Sequence, residues 1–206
     1  MIKEHLLDIF FPEKCVLCHK VLPRDQTDLC HKCRADSPYF QKSNMRFSFV
    51  AGWTGLWYYK DKVRDSILKY KFLKRRSYGP VFGRLLAMKI HRSNLCSYDV
   101  LTWVPIGKKR LRKRGFDQVE VMTQVIGQQL QTPAAKVLTK IRETPPQSGI
   151  KDASMRRANV SGAYAVTDPR LVAGKTVLLI DDILTTGATA SECARVLLTA
   201  GAKEVY

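Results

Sequence analysis

The chain has 206 residues, 45% of them hydrophobic, and its 35 lysines and arginines exceed its 18 acidic residues to give a formal net charge of +17. This composition excludes a disordered or collagen-like chain, and no apolar run reaches the ~20 residues that span a bilayer. The positive charge favours a polyanionic partner, which means nucleic acid, an anionic membrane surface or a phosphorylated ligand, although a basic surface without a specific partner is the simplest alternative.

We expect no secretory signal at the start of the sequence. Residues 1–5 contain a lysine and a glutamate, and no long apolar stretch with a small-residue cleavage site follows them. We therefore expect a cytoplasmic protein without a transmembrane segment.

Four of the six cysteines form two Cys-x-x-Cys pairs near the start of the chain. They are Cys15, Cys18, Cys30 and Cys33. Two such pairs, separated by a polar and turn-rich segment, suit a tetrahedral zinc ion, because each pair can direct two thiolates at one metal. Four protein ligands leave no open position for a reactive water, so the sequence predicts structural Zn²⁺ rather than catalytic Zn²⁺.

Other interpretations of the cysteines fit the pattern less well. A reducing compartment disfavours disulfides, and a redox pair should begin a helix that follows a strand. His19 and His31 each follow a cysteine and could replace a thiolate, although four cysteines form the simpler site. The first forty residues contain few apolar groups, and metal binding can supply about 10–16 kcal/mol to the folding of such modules. Cys193 lies at helical spacing from Leu197 and is predicted to be a core residue.

The segment after the cysteines predicts aromatic and helical structure. A polar linker at 34–44 leads into a strand-like, aromatic stretch at 47–59. Apolar residues at helical spacing predict a helix over 62–72 and a second helix around 81–91.

The second half of the chain predicts alternating strands and helices. A short strand is expected at 100–104, followed by a very basic loop, and a helix at 116–130. A short strand is expected at 137–141, and the polar segment 142–159 is predicted to be a long mobile loop. A buried strand at 177–180 and a helix at 189–200 complete the pattern. The alternation indicates an α/β fold with a largely parallel sheet.

The loop after strand 177–180 carries the clearest chemical signal. It combines two carboxylates, Asp181 and Asp182, with three threonines and Gly187. Ligands of α/β sheets bind beyond the carboxyl ends of the strands. Hydroxyl groups and backbone N–H groups there can hold a phosphate at the start of the next helix, and the acids could accept hydrogen bonds from a diol or lie near a metal. An acidic strand end with an ordinary helix cap is the alternative, and it leaves the clustering unexplained.

This loop resembles the phosphoribosyl pyrophosphate (PRPP) signature of type I phosphoribosyltransferases. Three further segments are similar to the ComF family of late-competence proteins, which are associated with DNA uptake in natural transformation. They are Leu7 to Pro12 with the two cysteine pairs, Val104-Pro105 with Arg110 and Arg114-Gly115-Phe116-Asp117-Gln118, and Arg142-x-Thr144-x-x-Gln147 with Arg156, Asn159 and Gly162-Ala163-Tyr164. The resemblance covers nearly the whole chain.

The resemblance implies roles for particular residues. Asp181 and Asp182 would hold the ribose hydroxyls of PRPP, and Mg²⁺ would accompany the ligand. Arg110 and Arg114 would act with Mg²⁺ on the leaving pyrophosphate. The residues that would hold the 5′-phosphate are Thr185, Thr186, Gly187, Ala188 and Thr189.

The basic run 108–114 has six lysines and arginines in seven positions and three possible roles. It could clamp pyrophosphate, follow DNA phosphates in a salt-dependent complex, or be a solvated charge run. Nearby aromatic residues could stack on unpaired bases, although aromatic residues in a strand are more often part of the core. These aromatic residues are Trp53, Trp57, Tyr58 and Tyr59.

Two features depart from the family pattern. Asp117 stands where the family usually has asparagine, which adds a negative charge in a basic region and would weaken anion contact there. The sequence ends at Tyr206 as a further strand begins, so we expect a family member to continue beyond it.

The predicted organisation is a zinc-ribbon-like module at 1–45 and a phosphoribosyltransferase-like domain at 46–206, lacking a few C-terminal residues. The predicted function is binding of Mg-PRPP and support of single-stranded DNA uptake, with a competence helicase as a possible partner. An active phosphoribosyltransferase of nucleotide salvage is the alternative, and the sequence does not decide whether the protein is an enzyme. A third hypothesis is a relic fold that serves protein contacts.

Overall fold

A computed structural model describes residues 12–93, 95, 97–145 and 152–206. Leu7 to Phe11 and Gln147, which contribute to the family resemblance, lie outside the described residues. Among the helices that the structure describes, none has the length and apolar character needed to cross a membrane.

Seven helices and five strands are described. The helices are α1 (His31–Asp36), α2 (Asp61–Phe72), α3 (Tyr78–Ser93), α4 (Lys108–Arg114), α5 (Gln118–Leu130), α6 (Ala153–Val160) and α7 (Ala188–Thr199). The strands are β1 (Val100–Trp103), β2 (Leu138–Lys140), β3 (Tyr164–Val166), β4 (Thr176–Ile180) and β5 (Glu204–Val205).

The central sheet is parallel, with β4 between β1 and β5. Both faces of the sheet are covered, which explains why β1 and β4 are almost wholly apolar. On one face, Val100 and Val177 belong to a core with α7, while on the other Leu101 and Leu178 pack in a cluster with residues of α3 and α5. Strands β2 and β3 form a separate antiparallel pair. This arrangement confirms the predicted α/β class, a parallel sheet flanked by helices.

The predicted strand at 47–59 is wrong. Its only described pairing is an isolated bridge between Tyr39 and Trp57. Phe49 has a φ of 67°, a left-handed conformation that interrupts extended structure. The aromatic rings pack on one another instead, with Trp53 4.7 Å from Phe40 and 5.2 Å from Phe47 between ring centroids.

Two predicted loops contain helices. The basic run is α4, which ends where Gly115 adopts a φ of 82° and donates its backbone N–H to Leu111. The segment predicted as a mobile loop at 142–159 contains most of α6, whose first turn is capped by Asp152. In both cases the sequence does not predict a helix, because neither helix has a strongly apolar face.

The remaining predicted elements are present with small changes at their ends. Cys193 is fully buried in the core around α7, as predicted. Strand β5 pairs with β4 through Thr176 with Glu204 and Val177 with Val205.

Candidate ligand cavity and zinc centre

The loop 181–189 leaves the carboxyl end of β4 and enters α7 at Ala188. Gly187 precedes the helix with a φ of 71°. A Cβ atom at this position would lie 2.0 Å from Cδ1 of Phe47, so both the backbone conformation and the Phe47 ring require glycine.

A cavity of 620 Å³ opens above this loop. Its lining includes every residue that the resemblance assigned to PRPP, together with Arg110 and Arg114. Seven cationic side chains line it against two carboxylates, so its charge suits a polyanion. The cations are Lys71, Lys74, Arg110, Lys113, Arg114, Lys140 and Arg156.

Asp182 is held by two partners inside the cavity. Lys71 Nζ lies 2.8 Å from Asp182 Oδ1, with 13% and 9% of the two side chains exposed. Gln118 Nε2 donates to Asp182 Oδ2 at 2.8 Å, while the side-chain oxygen of Gln118 is buried without a hydrogen-bond partner among the described residues. Lys71 is absent from the sequence prediction of the site, because its position in a cluster of lysines and arginines from 69 to 76 gives no sign that it points inward.

Asp181 has a different electrostatic state from its neighbour. Its Oδ1 accepts the backbone N–H of Asp182 at 2.8 Å. Burial, with the charge of Asp182, raises the pKa of Asp181 to about 8. The two neighbouring carboxyl groups therefore differ, because Asp182 is paired with the Lys71 ammonium whereas burial favours the protonated form of Asp181.

The basic run divides into two faces on α4. Arg110, Lys113 and Arg114 line the cavity, as the spacing of three and four residues allows on a helix. Arg110 donates to the backbone oxygen of Thr144 at 3.1 Å. Burial lowers the pKa of Arg114, whose guanidinium carbon lies 5.2 Å from the centre of the Phe72 ring. The others, Lys108, Lys109 and Arg112, are exposed.

Helix α6 contributes a cation from above the loop. Arg156 donates to the Thr185 hydroxyl at 3.0 Å. Arg142 donates to backbone oxygens of Asn159 and Ser161, at 3.1 Å and 2.6 Å, and so anchors the end of α6. Part of the segment predicted as a loop is therefore a helix, α6, and its Arg156 contacts Thr185, which is predicted to bind phosphate.

Asp117 is not among the residues that line the cavity, although its charge opposes the burial that lowers the pKa of Arg114, which does line it. Asp117 is buried and caps α5, accepting hydrogen bonds from the backbone N–H groups of Val119 at 3.0 Å and Ile106 at 3.1 Å. Burial raises its pKa, and these N–H donors oppose that effect. Asparagine could cap α5 through its one side-chain oxygen, but its amide NH2 would face the Ile106 N–H, so that aspartate satisfies more donors here than asparagine would.

The four aromatic residues considered for base stacking separate in the structure. Trp53 packs between Phe40 and Phe47, and Trp57 packs against the cluster that contains Phe82. Tyr58 packs against Phe40 with ring centroids 5.4 Å apart, and Tyr59 lines the cavity.

The four predicted zinc ligands lie together. The sulfur atoms of Cys15, Cys18, Cys30 and Cys33 are all within 4.8 Å of one another, and the Cys18–Cys30 separation is 3.7 Å. A Zn–S bond of about 2.3 Å in a tetrahedron requires sulfur atoms about 3.8 Å apart, so the cluster fits zinc.

The environment favours a thiolate at Cys15, whereas burial raises the pKa of Cys18 and Cys33, and both histidines have partners outside the cluster. Burial raises the pKa of Cys15, but backbone N–H groups of Cys18, Cys30 and Leu17 outweigh it and lower the pKa to about 7. His19 Nδ1 lies 2.8 Å from the Tyr78 hydroxyl, and His31 faces Asp25. A four-cysteine centre is the arrangement that the described residues form.

The zinc module packs against α2, which borders the cavity, and against α3. Cys15, Val16 and Leu29 share one apolar cluster with Tyr70 of α2 and Phe82 of α3. Ser66 donates a hydrogen bond to the Val16 backbone, and Arg84 pairs with Asp28. Loss of the metal should therefore destabilise α2, the helix that contains Lys71.

Comparison with known proteins gives independent matches to both parts of the chain. Residues 6–44 match the double zinc ribbon domain family, and residues 109–206 match the phosphoribosyl transferase domain family. The first match, with the cysteine cluster, supports structural Zn²⁺.

Curated relatives match most of the chain. The competence protein ComFC of Streptococcus pneumoniae is 30% identical over 196 residues, which are 94% of this chain and 78% of that protein. The DNA utilization protein YhgH of Escherichia coli K12 is 28% identical over 190 residues, 89% of this chain and 78% of that protein.

A solved structure of an allosteric regulatory enzyme of purine biosynthesis is also similar. It has a TM-score of 0.46 and 21% identity, and the match covers 68% of this chain and 29% of the enzyme chain.

Proposed function

This chain belongs to the ComF family of competence proteins, and from that membership we propose that its cavity binds Mg-PRPP and that its basic surface binds single-stranded DNA during natural transformation. A helicase-type partner in DNA uptake is part of the same proposal. We place the protein in the cytoplasm, because a centre of four zinc-binding thiolates persists best where thiols stay reduced.

The observation that carries the proposal is the position of loop 181–189 on the wall of a cation-lined cavity. PRPP has a 5′-phosphate, a ribose diol and a pyrophosphate. The threonine hydroxyls and the N-terminus of the twelve-residue helix α7 suit the phosphate. The two adjacent carboxyl groups suit the diol, and Arg110 and Arg114 suit the pyrophosphate.

The chemistry of the carboxyl groups also fits Mg²⁺. Asp182 already pairs with a cation, because Lys71 Nζ lies 2.8 Å from its Oδ1. Carboxylate oxygens are also the ligands that Mg²⁺ prefers. Asp181 and Asp182 are the residues that would lie nearest the ion. When bound, Mg²⁺ would neutralise charge on the pyrophosphate.

An active phosphoribosyltransferase is the second candidate, and the contact from Arg156 to Thr185 favours it. Through this contact α6 reaches over the loop, which would exclude water from bound ligand. In the reaction, the bond from C1 of the ribose to a pyrophosphate oxygen breaks and a bond from C1 to a nitrogen of the acceptor forms. Pyrophosphate leaves with the electron pair, and the nitrogen loses its proton. Arg110 and Arg114 would stabilise the negative charge on the leaving group.

The proposal of DNA binding rests on charge. The net charge is +17, and α4 presents Lys108, Lys109 and Arg112 to solvent beside the cavity. Phosphates neutralised by these side chains would release counterions, so binding should weaken steeply with salt.

Ligand selection by the wild-type protein tests the proposal. Thermal unfolding of zinc-loaded protein is measured with PRPP, ribose 5-phosphate or pyrophosphate, each with and without Mg²⁺. We expect PRPP with Mg²⁺ to raise the unfolding midpoint most, because only PRPP fills all three parts of the cavity. If pyrophosphate alone raised the unfolding midpoint as much as PRPP does, the cavity would be a general anion site and not a PRPP site. If no ligand raised the midpoint, the proposal would be contradicted.

A further inference from the structure

Phe72 is exposed in an unusual setting. It is the last residue of α2, and 61% of it is exposed, whereas Phe40, Phe47, Phe82 and Phe116 are buried. The guanidinium of Arg114 lies over the Phe72 ring at 5.2 Å. The ring is therefore supported by a cation and yet open to solvent.

The position of this pair distinguishes it from an ordinary exposed side chain. Single exposed apolar residues are common on proteins and need no explanation. Phe72 and Arg114, however, both line the cavity, and so does Tyr59, a second exposed aromatic residue. We name Phe72, Arg114 and Tyr59 the rim platform. Lys74 and Lys113 belong to the same lining and add positive charge.

We propose that the rim platform stacks an unpaired base of single-stranded nucleic acid, with Lys74 and Lys113 on the flanking phosphates. This inference rests on the proposed DNA binding and deepens it, because it assigns the contact to bases as well as to phosphates. Every base has a π-face that can stack on an aromatic ring, whereas the bases of a duplex are already stacked on one another. Arg114 supports the Phe72 ring and reduces the conformational freedom that base binding would remove.

Because Lys71 and Phe72 are adjacent in the sequence, the rim platform lies next to the Lys71–Asp182 ion pair. Lys71 pairs with Asp182 within the cavity, and Phe72 follows it at the rim. A strand on the platform would therefore lie beside the opening through which a phosphoribosyl ligand enters.

The experiment separates base contacts from phosphate contacts. Fluorescence anisotropy measures binding of zinc-loaded full chain to an oligothymidylate of about 20 nucleotides, to an abasic oligomer of equal length and to a duplex. The variants are Phe72→Leu and Phe72→Tyr. Phe49→Leu is the matched control, because Phe49 is similarly exposed but is not in the cavity lining.

We expect Phe72→Leu to weaken oligothymidylate binding about 5- to 150-fold, which corresponds to the 1–3 kcal/mol of one stacked base. Phe72→Tyr and Phe49→Leu should bind as the wild type does, and Phe72→Leu should leave the weaker abasic binding unchanged. Equal binding by Phe72→Leu and wild type, an equal loss on the abasic oligomer, or preference for the duplex would overturn the inference. Wild-type protein that binds no oligomer would also overturn it, together with the DNA half of the proposed function but not the PRPP half.

Discussion

Lys71 of α2 and Asp182 at the end of β4 form an ion pair with a Nζ–Oδ1 distance of 2.8 Å inside the cationic cavity. The pair joins residues 111 positions apart and fixes a helix next to the zinc module against the loop at the end of the strand. It also occupies one oxygen of a carboxylate to which the proposed function assigns contacts with the ribose diol or Mg²⁺. Ligand binding should therefore rearrange this pair.

Lys71→Met should destabilise the protein. The substitution leaves the Asp182 charge with Gln118 as its remaining described partner, and removal of one member of a largely buried pair costs about 3 kcal/mol. Lys62→Met, at an exposed position on the same helix, should change stability by at most about 0.5 kcal/mol. Urea unfolding of the two variants measures the difference, and equal stability would show that the ion pair contributes nothing.

Asp181 should make stability depend on pH. Its pKa is about 8 in the folded protein and about 3.9 when unfolded. Between these values the folded state holds a proton that the unfolded state has released, so stability falls as the pH rises. Each unit of raised pKa corresponds to about 1.4 kcal/mol.

Asp181→Asn should therefore stabilise the protein, and the gain should increase from about pH 5 to about pH 8. Urea unfolding of this variant and wild type across that range measures the two slopes. Parallel slopes would mean that Asp181 is ionised in the folded protein over the whole range.

Removal of zinc should loosen α2 and α3 as well as the zinc module, because Cys15 and Val16 share an apolar cluster with Tyr70 and Phe82. Metal binding stabilises small zinc modules by about 10–16 kcal/mol, so a strong chelator should unfold this one. Amide hydrogen exchange in α2 and α3 provides the measurement. Cys193→Ala is the control, because Cys193 is not one of the four clustered cysteines, and this variant should still bind one zinc ion per chain. Unchanged exchange in both helices after zinc removal would show that the module is energetically independent.

Gly187→Ala should disrupt the loop before α7. Alanine there must adopt a φ of 71° and place its Cβ 2.0 Å from the Phe47 ring. Gly201→Ala is the matched control, because its φ is 97° but its Cβ would meet nothing closer than 3.6 Å. We expect the unfolding midpoint to fall further for Gly187→Ala than for Gly201→Ala, and the loss in the Gly187→Ala/Phe47→Ala double variant to be smaller than the sum of the losses in its two single variants. Identical midpoints for the two alanine variants would contradict the packing of Phe47 on the loop.

The sequence predicts those parts of the molecule whose residue types have one dominant use. The apolar runs of β1 and β4 indicate buried parallel strands, and the paired cysteines indicate a metal centre. The acids and threonines of loop 181–189 indicate an anion site at the end of a strand. These patterns are local, so they can be read without knowledge of distant contacts.

The features that the sequence hides depend on tertiary contacts. In the sequence, nothing distinguishes Lys71 from the neighbouring lysines and arginines. Only the packing of α2 against the loop brings this lysine to Asp182. Helices α4 and α6 are polar and resemble loops in sequence, and tertiary contacts such as Arg110 to Thr144 and Arg156 to Thr185 help to position them. The stretch 47–59 has the aromatic composition of a strand, yet its rings pack on one another.

The most direct test of the central claim is calorimetric titration of PRPP with Mg²⁺ into zinc-loaded protein, beside an Asp181→Asn/Asp182→Asn double variant. The account predicts saturable binding to the wild type that is lost in the double variant, whose folding and zinc content are measured alongside because Asp182→Asn removes the partner of Lys71. Binding that persists in the double variant, or absence of binding to the wild type, would contradict a phosphoribosyl site at this loop.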